Sequence, residues 1–484
     1  MKKPFYITSA IPYVNASPHI GFAMELCQTD AIYRYHKTLL KEDALLLSGA
    51  DENALKNVQA AEKAGKPVQE FVDTNSVEFE KLGTLLNIHI DVFQKGSNQK
   101  THFPSSQELW KRCQANGDIY KKEYTGLYCI GCELFYSPDE LNENGECFEH
   151  PGKKLEEVSE TNYFFKLSSY QARLIKLIES DDLRIIPETR KNEMLSFLKQ
   201  PLQDISVSRS NERAKNWGVP VPGDDAQRMY VWFDALNIYQ SGIGFGWNDE
   251  MYKKYWPADV HVIGKGITRF HAIYWPAFLM SAKLDLPKTL FVHGYITSEG
   301  QKMSKSVGNV VDPVEVITRY GSESVRYYLL REIPAYSDGD FSEDRFKELY
   351  NADLANGLGN LVSRVTTLAE KHAVEMTESE SEHLTIPPRA ESGGFTLHME
   401  RFELNLALEE LWKEVRNLDV TINKDEPWKR TGDEVASLLK NYIKDIRNIA
   451  YALQPFMPVT SSTILESTGS RVSKVNSLFP RLIK

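Results

Sequence analysis

The stretch Gly300-Gln301-Lys302-Met303-Ser304-Lys305-Ser306-Val307-Gly308-Asn309 sets two lysines three positions apart between flanking glycines. Lysine is a compact point charge on a long stem, so two of them on one loop can surround the charge that builds up on a leaving pyrophosphate. The stretch comes after a strand-like run that ends at Val292-His293-Gly294-Tyr295. Two nearby lysines alone would be an ordinary solvated loop, and the stretch gains its meaning from a partner far upstream.

That partner is Ser17-Pro18-His19-Ile20-Gly21. Ser17 suits an N-cap and Pro18 a first helical residue, which puts His19, Ile20 and Gly21 in the first turn. There, unpaired N–H groups and the helix dipole attract phosphate. Gly21 leaves room for a flat base against the backbone. Alone, this would be a capped helix with a surface histidine; paired with the lysine stretch it implies an ATP site.

Working outward, residues 5–9 (Phe-Tyr-Ile-Thr-Ser) read as a buried strand, followed by a turn and a helix from about Pro18 to Lys37. Further strands are predicted at Ala44–Ser48, Val260–Ile263 and Thr289–His293. They alternate with helical stretches, the pattern of βαβ units and a parallel sheet, so the fold class is α/β. Residues 113–225 turn short-stranded and rich in turns, which marks an inserted domain splitting the sheet into 1–112 and 226–315. A linker region spans 316–350. Beyond it, Asn351–Lys371, Leu397–Asn417 and Gly432–Gln454 carry apolar residues at three and four spacing, which predicts an all-α bundle over 351–484. Glu378–Gly394 reads as a surface connection, and no internal repeat is visible.

Bulk properties set limits. A chain of 484 residues calls for two to four domains. Its 57 basic and 67 acidic residues give a net charge of −10, so no global basic field marks a nucleic-acid binder. Residues 351–484 carry 16 Lys/Arg against 19 Asp/Glu, so RNA contact cannot be inferred from charge. Neither a signal peptide nor a run of membrane-spanning length is present, and the expected location is cytoplasmic.

Cys129-Ile-Gly-Cys132, fourteen residues, then Cys147-Phe-Glu-His150 is a paired-ligand spacing. It predicts a tetrahedral site for one zinc ion, closed by four protein ligands and therefore structural. The aromatic runs around Trp232, Asp234, Ala235 and Tyr239, and around Phe270 and His271, suit an unbranched apolar side chain containing sulfur. By pattern alone, core packing is the better reading of them.

Taken together, these residues resemble the methionyl-tRNA synthetases, a family of class I aminoacyl-tRNA synthetases, over nearly the whole chain. The resemblance is carried by His19-Ile-Gly-Phe22, the intact Lys302–Ser306 motif, Ile11-Pro-Tyr-Val-Asn15, the cysteine-bearing insertion, Trp217-Gly-Val-Pro-Val-Pro222 and Val231-Trp-Phe-Asp-Ala235. It implies a Rossmann-like catalytic domain, a zinc-bearing connective insertion and an anticodon-binding bundle. It also implies activation of methionine by Mg-ATP, with Mg²⁺ entering with the nucleotide, and transfer of the methionyl group to tRNA(Met). His19, Lys302 and Lys305 would be catalytic, with Gly21 and Ser304 also at the ATP. Ile11, Tyr13, Trp232, Ala235, Leu236, Tyr239 and His271 match the methionine pocket, and Asp51 the acid that pairs with the substrate ammonium. Asn360, Arg364 and Trp428 match anticodon readers. Without an added oligonucleotide-binding module the expectation is a monomer, with neither DNA nor membrane as partner.

Three positions depart from the family pattern: Phe22 for a second histidine, Asn53-Ala54 for His-Gly, and Gly266 for an acidic residue. They motivate one rival, a catalytically impaired tRNA-binding paralogue. The retained lysines oppose it, since a pure binder has no use for them. Another class I synthetase is a second rival. The aliphatic enzymes need a long editing insertion, and a cysteine enzyme would use zinc in its pocket.

Overall fold

The computed structural model describes residues 3–129, 134–136, 141–147, 152–303, 309–386 and 394–482. The chain divides into two compact units: residues 1–18, 44–81 and 89–293 in one, and 19–43, 82–88 and 294–484 in the other.

The first unit is built on a six-stranded sheet in the order Val92–Lys95, Ala44–Ala50, Phe5–Thr8, Val260–Gly264, Thr289–His293 and Arg184–Ile186, with every neighbour parallel. The reason lies in Ala-Leu-Leu-Leu-Ser-Gly-Ala at 44–50, which is buried along its whole length. A continuous apolar run has no solvent face, as a central parallel strand requires. Thr289–His293 falls where the sequence predicts it, while the others shift by one or two residues at an end. Arg184–Ile186 is a departure. It lies inside the stretch read as an insertion, yet it pairs with Thr289–Phe291 as the sheet's edge strand.

Around it, residues 119–165 form the long antiparallel pair Ile119–Cys129 and Glu156–Phe165, flanked by Leu134–Tyr136 and Ile205–Ser206. A second antiparallel sheet joins Ser208–Ser210, Asp224–Met229 and Pro220–Val221.

In the second unit the helix Ile20–Arg34 runs on into a π turn at Tyr35–Leu39. A small sheet places Ile296–Ser298 between Gln301–Lys302 and Gly339–Phe341. Gly300, at φ +73°, makes the turn between the first two strands, a backbone conformation that suits glycine.

From 343 onward the regular elements are helices. The expected helix 351–371 is a π segment, Tyr350–Gly359, leading into Asn360–Lys371. The expected helix 397–417 is instead two, Phe395–Glu400 and Leu404–Asp425, and Phe402 between them sits at φ +59°. Gly432–Leu453 matches its expectation to one residue. The connection at 378–394 contains a short helix, Glu378–Glu382, held by a capping box from Thr377.

One buried charge organises this unit. Arg326, on the helix Ser322–Arg331, pairs with Asp30 at 2.7 Å, both fully buried. The guanidinium also donates to the carbonyls of Phe456 (2.7 Å), Pro455 (2.9 Å) and Leu86 (3.2 Å). Asp30 in turn takes Arg34 Nε at 2.7 Å. Among the described residues no helix is long and apolar enough to cross a membrane.

Candidate active site

Just after the strand Phe5–Thr8, Ile11 and Tyr13 join an aromatic cluster in the core of the first unit. The helix Val231–Ala235 and the π turn Phe270–Tyr274 supply the rest. Trp232 and Phe270 stack face to face at 3.7 Å between centroids and 6° between planes. Tyr13 meets the edge of Trp232 at 6.3 Å, and His271 does so at 6.5 Å. Ala235, Leu236, Tyr239 and His271 are buried. Asp51 joins the same group through the backbone. It forms a parallel bridge with Tyr13, and its N–H donates to the Pro12 carbonyl at 3.0 Å. The pocket residues expected from sequence are therefore brought together, with the acid beside the aromatic wall.

Several of the polar atoms here bond to one another, while Trp232 Nε1 and His261 Nε2 are buried without a partner among the described residues. His271 Nδ1 lies 2.9 Å from the Ile267 carbonyl, which can only accept, so Nδ1 carries the hydrogen. Nε2 then accepts from the Tyr239 hydroxyl at 2.8 Å. Burial depresses the His271 pKa to about 4, partly opposed by the Ile267 bond, and drives His261 well below its ordinary value. His261 packs against Tyr239 at 4.4 Å and pairs with Thr8 Oγ1 at 2.7 Å. Both imidazoles are thus held neutral inside the aromatic cluster.

This neutrality has a pH signature. The unfolded chain would protonate His271 near 6.5, the folded chain only near 4. The contribution of His271 to stability is therefore complete above pH 6.5 and is lost as pH falls from 6.5 toward 4, because the unfolded state binds the extra proton. The thermal unfolding midpoint is expected to drop across that window. A flat profile would show the imidazoles to be solvated.

In the second unit the helix start differs from its expectation. The N-cap is His19, not Ser17: His19 is extended (φ −115°, ψ 170°) and its Nδ1 accepts the Gly21 N–H at 3.1 Å. Pro18 and His19 therefore precede the first turn. With Nδ1 accepting, the neutral ring carries its hydrogen on Nε2, a donor at an exposed helix N-terminus. Surrounding protein lowers the His19 pKa by partial desolvation, opposed in part by Glu25. A Cβ at position 21 would come to 3.0 Å of the His19 ring, so the ring would have to give by a few tenths of an ångström for any other residue there. Ile20 N–H donates to the Val311 carbonyl at 3.3 Å, tying this turn to the segment that follows the lysine motif. Lys302 lies on the strand Gln301–Lys302; Ser304 and Lys305 lie outside the described residues.

Of the zinc ligands expected from the sequence, Cys129 and Cys147 meet at 3.2 Å in a small buried cluster with Leu155. That is well beyond the roughly 2.05 Å of a disulfide, and both are free thiols. Soft paired sulfurs in a dry pocket fit zinc. Cys132 and His150 lie outside the described residues, and no cluster of three ligating side chains occurs among those described.

Arg364 and Trp428 are also brought together, the guanidinium 5.8 Å from the ring centre. Arg364 is held by Asp419 at 2.8 Å and by Asn423 Oδ1 at 2.9 Å. Trp428 is 48% exposed, and Asn360 is exposed one turn before Arg364 on the same helix.

At the three departures, Phe22 is buried in the helix Ile20–Arg34, Gly266 sits in a short 3₁₀ turn at Lys265–Ile267, and Asn53 joins a hydrogen-bonded group. That group includes His102, which sequence reading missed. Its partner Asp234 is far away in the chain, and nothing local marks it.

Residues 5–366 match the family model described as class I tRNA synthetases (M), so the sheet and helix-start motif are those of a class I aminoacyl-tRNA synthetase. Methionine–tRNA ligase of Thermotoga maritima is 40% identical over 472 residues, spanning 95% of this chain and 74% of that protein. The Brucella melitensis ligase is 39% identical, spanning 98% and 93%. The structure of Mycobacterium tuberculosis methionyl-tRNA synthetase in complex with methionyl-adenylate superposes with a TM-score of 0.89 at 36% identity, covering 99% of this chain and all of that one. The chain belongs to the methionine–tRNA ligase family.

Proposed function

We propose that this chain activates L-methionine with Mg-ATP and transfers the methionyl group to the 3′ end of tRNA(Met). The observation that carries the reading is the buried aromatic cluster of Trp232, Phe270, Tyr239 and His271, with Asp51 bridged through its backbone to Tyr13 at the edge of Trp232. An unbranched thioether side chain fits the polarizable aromatic wall, and a carboxylate pairs with the substrate's ammonium. The methionine carboxylate attacks the α-phosphate, pyrophosphate leaves, and the tRNA's terminal adenosine then takes the acyl group and releases AMP. Both steps depend on positioning and charge stabilisation.

His19 Nε2–H and the lysines Lys302 and Lys305 are assigned to the phosphates, with Ser304 and Gly21 also at the nucleotide. Cys129, Cys132, Cys147 and His150 would hold zinc, which supplies a rigid cross-link to the insertion and no chemistry. Asn360, Arg364 and Trp428 are assigned to the anticodon, where an exposed indole offers a stacking face to an unstacked base. We assign the protein to the cytoplasm, as a monomer, with the five-part domain division read from the sequence.

The test is methionine-dependent exchange of labelled pyrophosphate into ATP, run beside norleucine, isoleucine and cysteine. Exchange with methionine well above the others, reduced at least tenfold by Lys305→Ala, is expected. No exchange from folded, zinc-loaded protein would overturn the reading.

A further inference from the structure

Five polar side chains, Asp234, His102, Ser106, Ser241 and Asn53, meet at the helix Val231–Ala235, and none has a role in the reading above. Asp234 is buried, and its Oδ1 takes a hydrogen bond from His102 Nε2 and another from Ser106 Oγ at 3.3 Å. A carboxylate only accepts, so the hydrogen is on His102 Nε2. His102 Nδ1 meets Ser241 Oγ at 2.8 Å, which fixes the plane of the ring. The other oxygen of Asp234, Oδ2, is taken by Asn53 Nδ2 at 2.7 Å.

Asn53 also reaches the opposite way. Its backbone N–H donates to Asp51 Oδ1 at 3.2 Å, and its Nδ2 donates as well to the Gly96 carbonyl at 2.8 Å. One residue therefore joins two buried carboxylates. Asp51 is the acid assigned to the substrate ammonium, while Asp234 lies two residues from Trp232 and next to Ala235 in the pocket wall. The 2.7 Å bond to Asp234 has the length of a bond to a charged acceptor, and it fixes the Asn53 backbone whose N–H holds Asp51 at 3.2 Å.

We propose that Asn53 is a positioning residue for the amino acid substrate. It sets the Asp51 carboxylate in register with the helix that carries Trp232, Asp234 is its anchor, and His102 holds that anchor in direction. The proposal rests on the assignment of Asp51 to the ammonium group. It predicts that disturbing Asn53 weakens methionine and leaves ATP alone, which a general loss of stability would not do.

The experiment compares Asn53→Ala, Asn53→Asp and the swap Asn53→Asp/Asp234→Asn in methionine-dependent pyrophosphate exchange. Asn53→Ala is expected to raise the KM for methionine about tenfold, and Asn53→Asp, which sets a third carboxylate between two others, about a hundredfold. The KM for ATP should stay within about twofold. The swap restores a donor facing an acceptor and should recover about tenfold of the loss.

Equal changes for methionine and ATP, an unchanged methionine KM beside a lowered unfolding midpoint, or a swap no better than Asn53→Asp would overturn the proposal. If Asn53→Asp does not fold, Asn53→Ala carries the same test, with Asn53→His asked whether another donor at the position restores the KM. If the wild type shows no exchange, the functional reading falls by itself. Equilibrium binding of methionine alone must then still give the same ranking of variants.

Discussion

Replacing Asp51 with alanine is expected to raise the KM for methionine on the order of 10² to 10³-fold in pyrophosphate exchange, leaving the KM for ATP nearly unchanged. Asp51 is buried at the end of the strand Ala44–Ala50, beside the bridge to Tyr13. An ammonium brought there leaves water and needs an anion in return. Truncating one partner of a desolvated charge pair costs about 2–5 kcal/mol, and each 1.4 kcal/mol is about tenfold. Asp51→Asn keeps the volume and one acceptor oxygen and should fall between alanine and the wild type. The carboxylate also takes the Asn53 N–H, so circular dichroism must show the variant folded. A methionine KM within about threefold of the wild type would remove Asp51 from the substrate.

The largest effect on stability is expected at Arg326. Truncation to methionine leaves the Asp30 carboxylate and the carbonyls of Leu86, Pro455 and Phe456 without the guanidinium that serves all four. Removing one partner of a buried ion pair costs about 3–5 kcal/mol when the other charge stays buried alone; here Arg34 still holds Asp30, which puts the loss at the lower end. The denaturant midpoint should fall accordingly. Arg326→Lys keeps the charge but has three donors and no fork, so it should recover only part of the loss. Arg326→Met/Asp30→Leu removes both charges and should be more stable than Arg326→Met alone. If the double variant were the less stable, the pair itself would not be the source of the effect.

How far the sequence could be read follows from whether a signal was local. Thr289–His293 and Gly432–Leu453 were legible because burial on both faces leaves a short continuous apolar run and an amphipathic stripe leaves a periodic one. The cysteine pair was legible from spacing, and the structure brings Cys129 to Cys147. The helix start was misplaced because Ser-Pro is the stronger local signal, while the ring of His19 competes for the cap through a bond to Gly21. Arg184–Ile186 was invisible because three residues carry no periodicity and become a strand only by pairing with Thr289–Phe291. The break at Phe402 was missed because no glycine or proline announces it. In the pocket, the aromatic residues were found through family motifs, whereas His102 and Asp234, 132 positions apart, needed the fold to meet.

The π turn at Phe270–Tyr274 has a consequence for how this pocket can diverge. A π turn holds one residue more than the α turn it replaces, and it lies between the Ile267 carbonyl that fixes His271 and the buried helix Trp275–Ser281. Deleting a single residue there would tighten the turn and rotate Phe270 away from Trp232 by roughly 100°, the angle between successive residues of an α-helix. Related pockets can therefore exchange side chains at these positions one at a time, but lineages that gained or lost a residue would have to rebuild the wall.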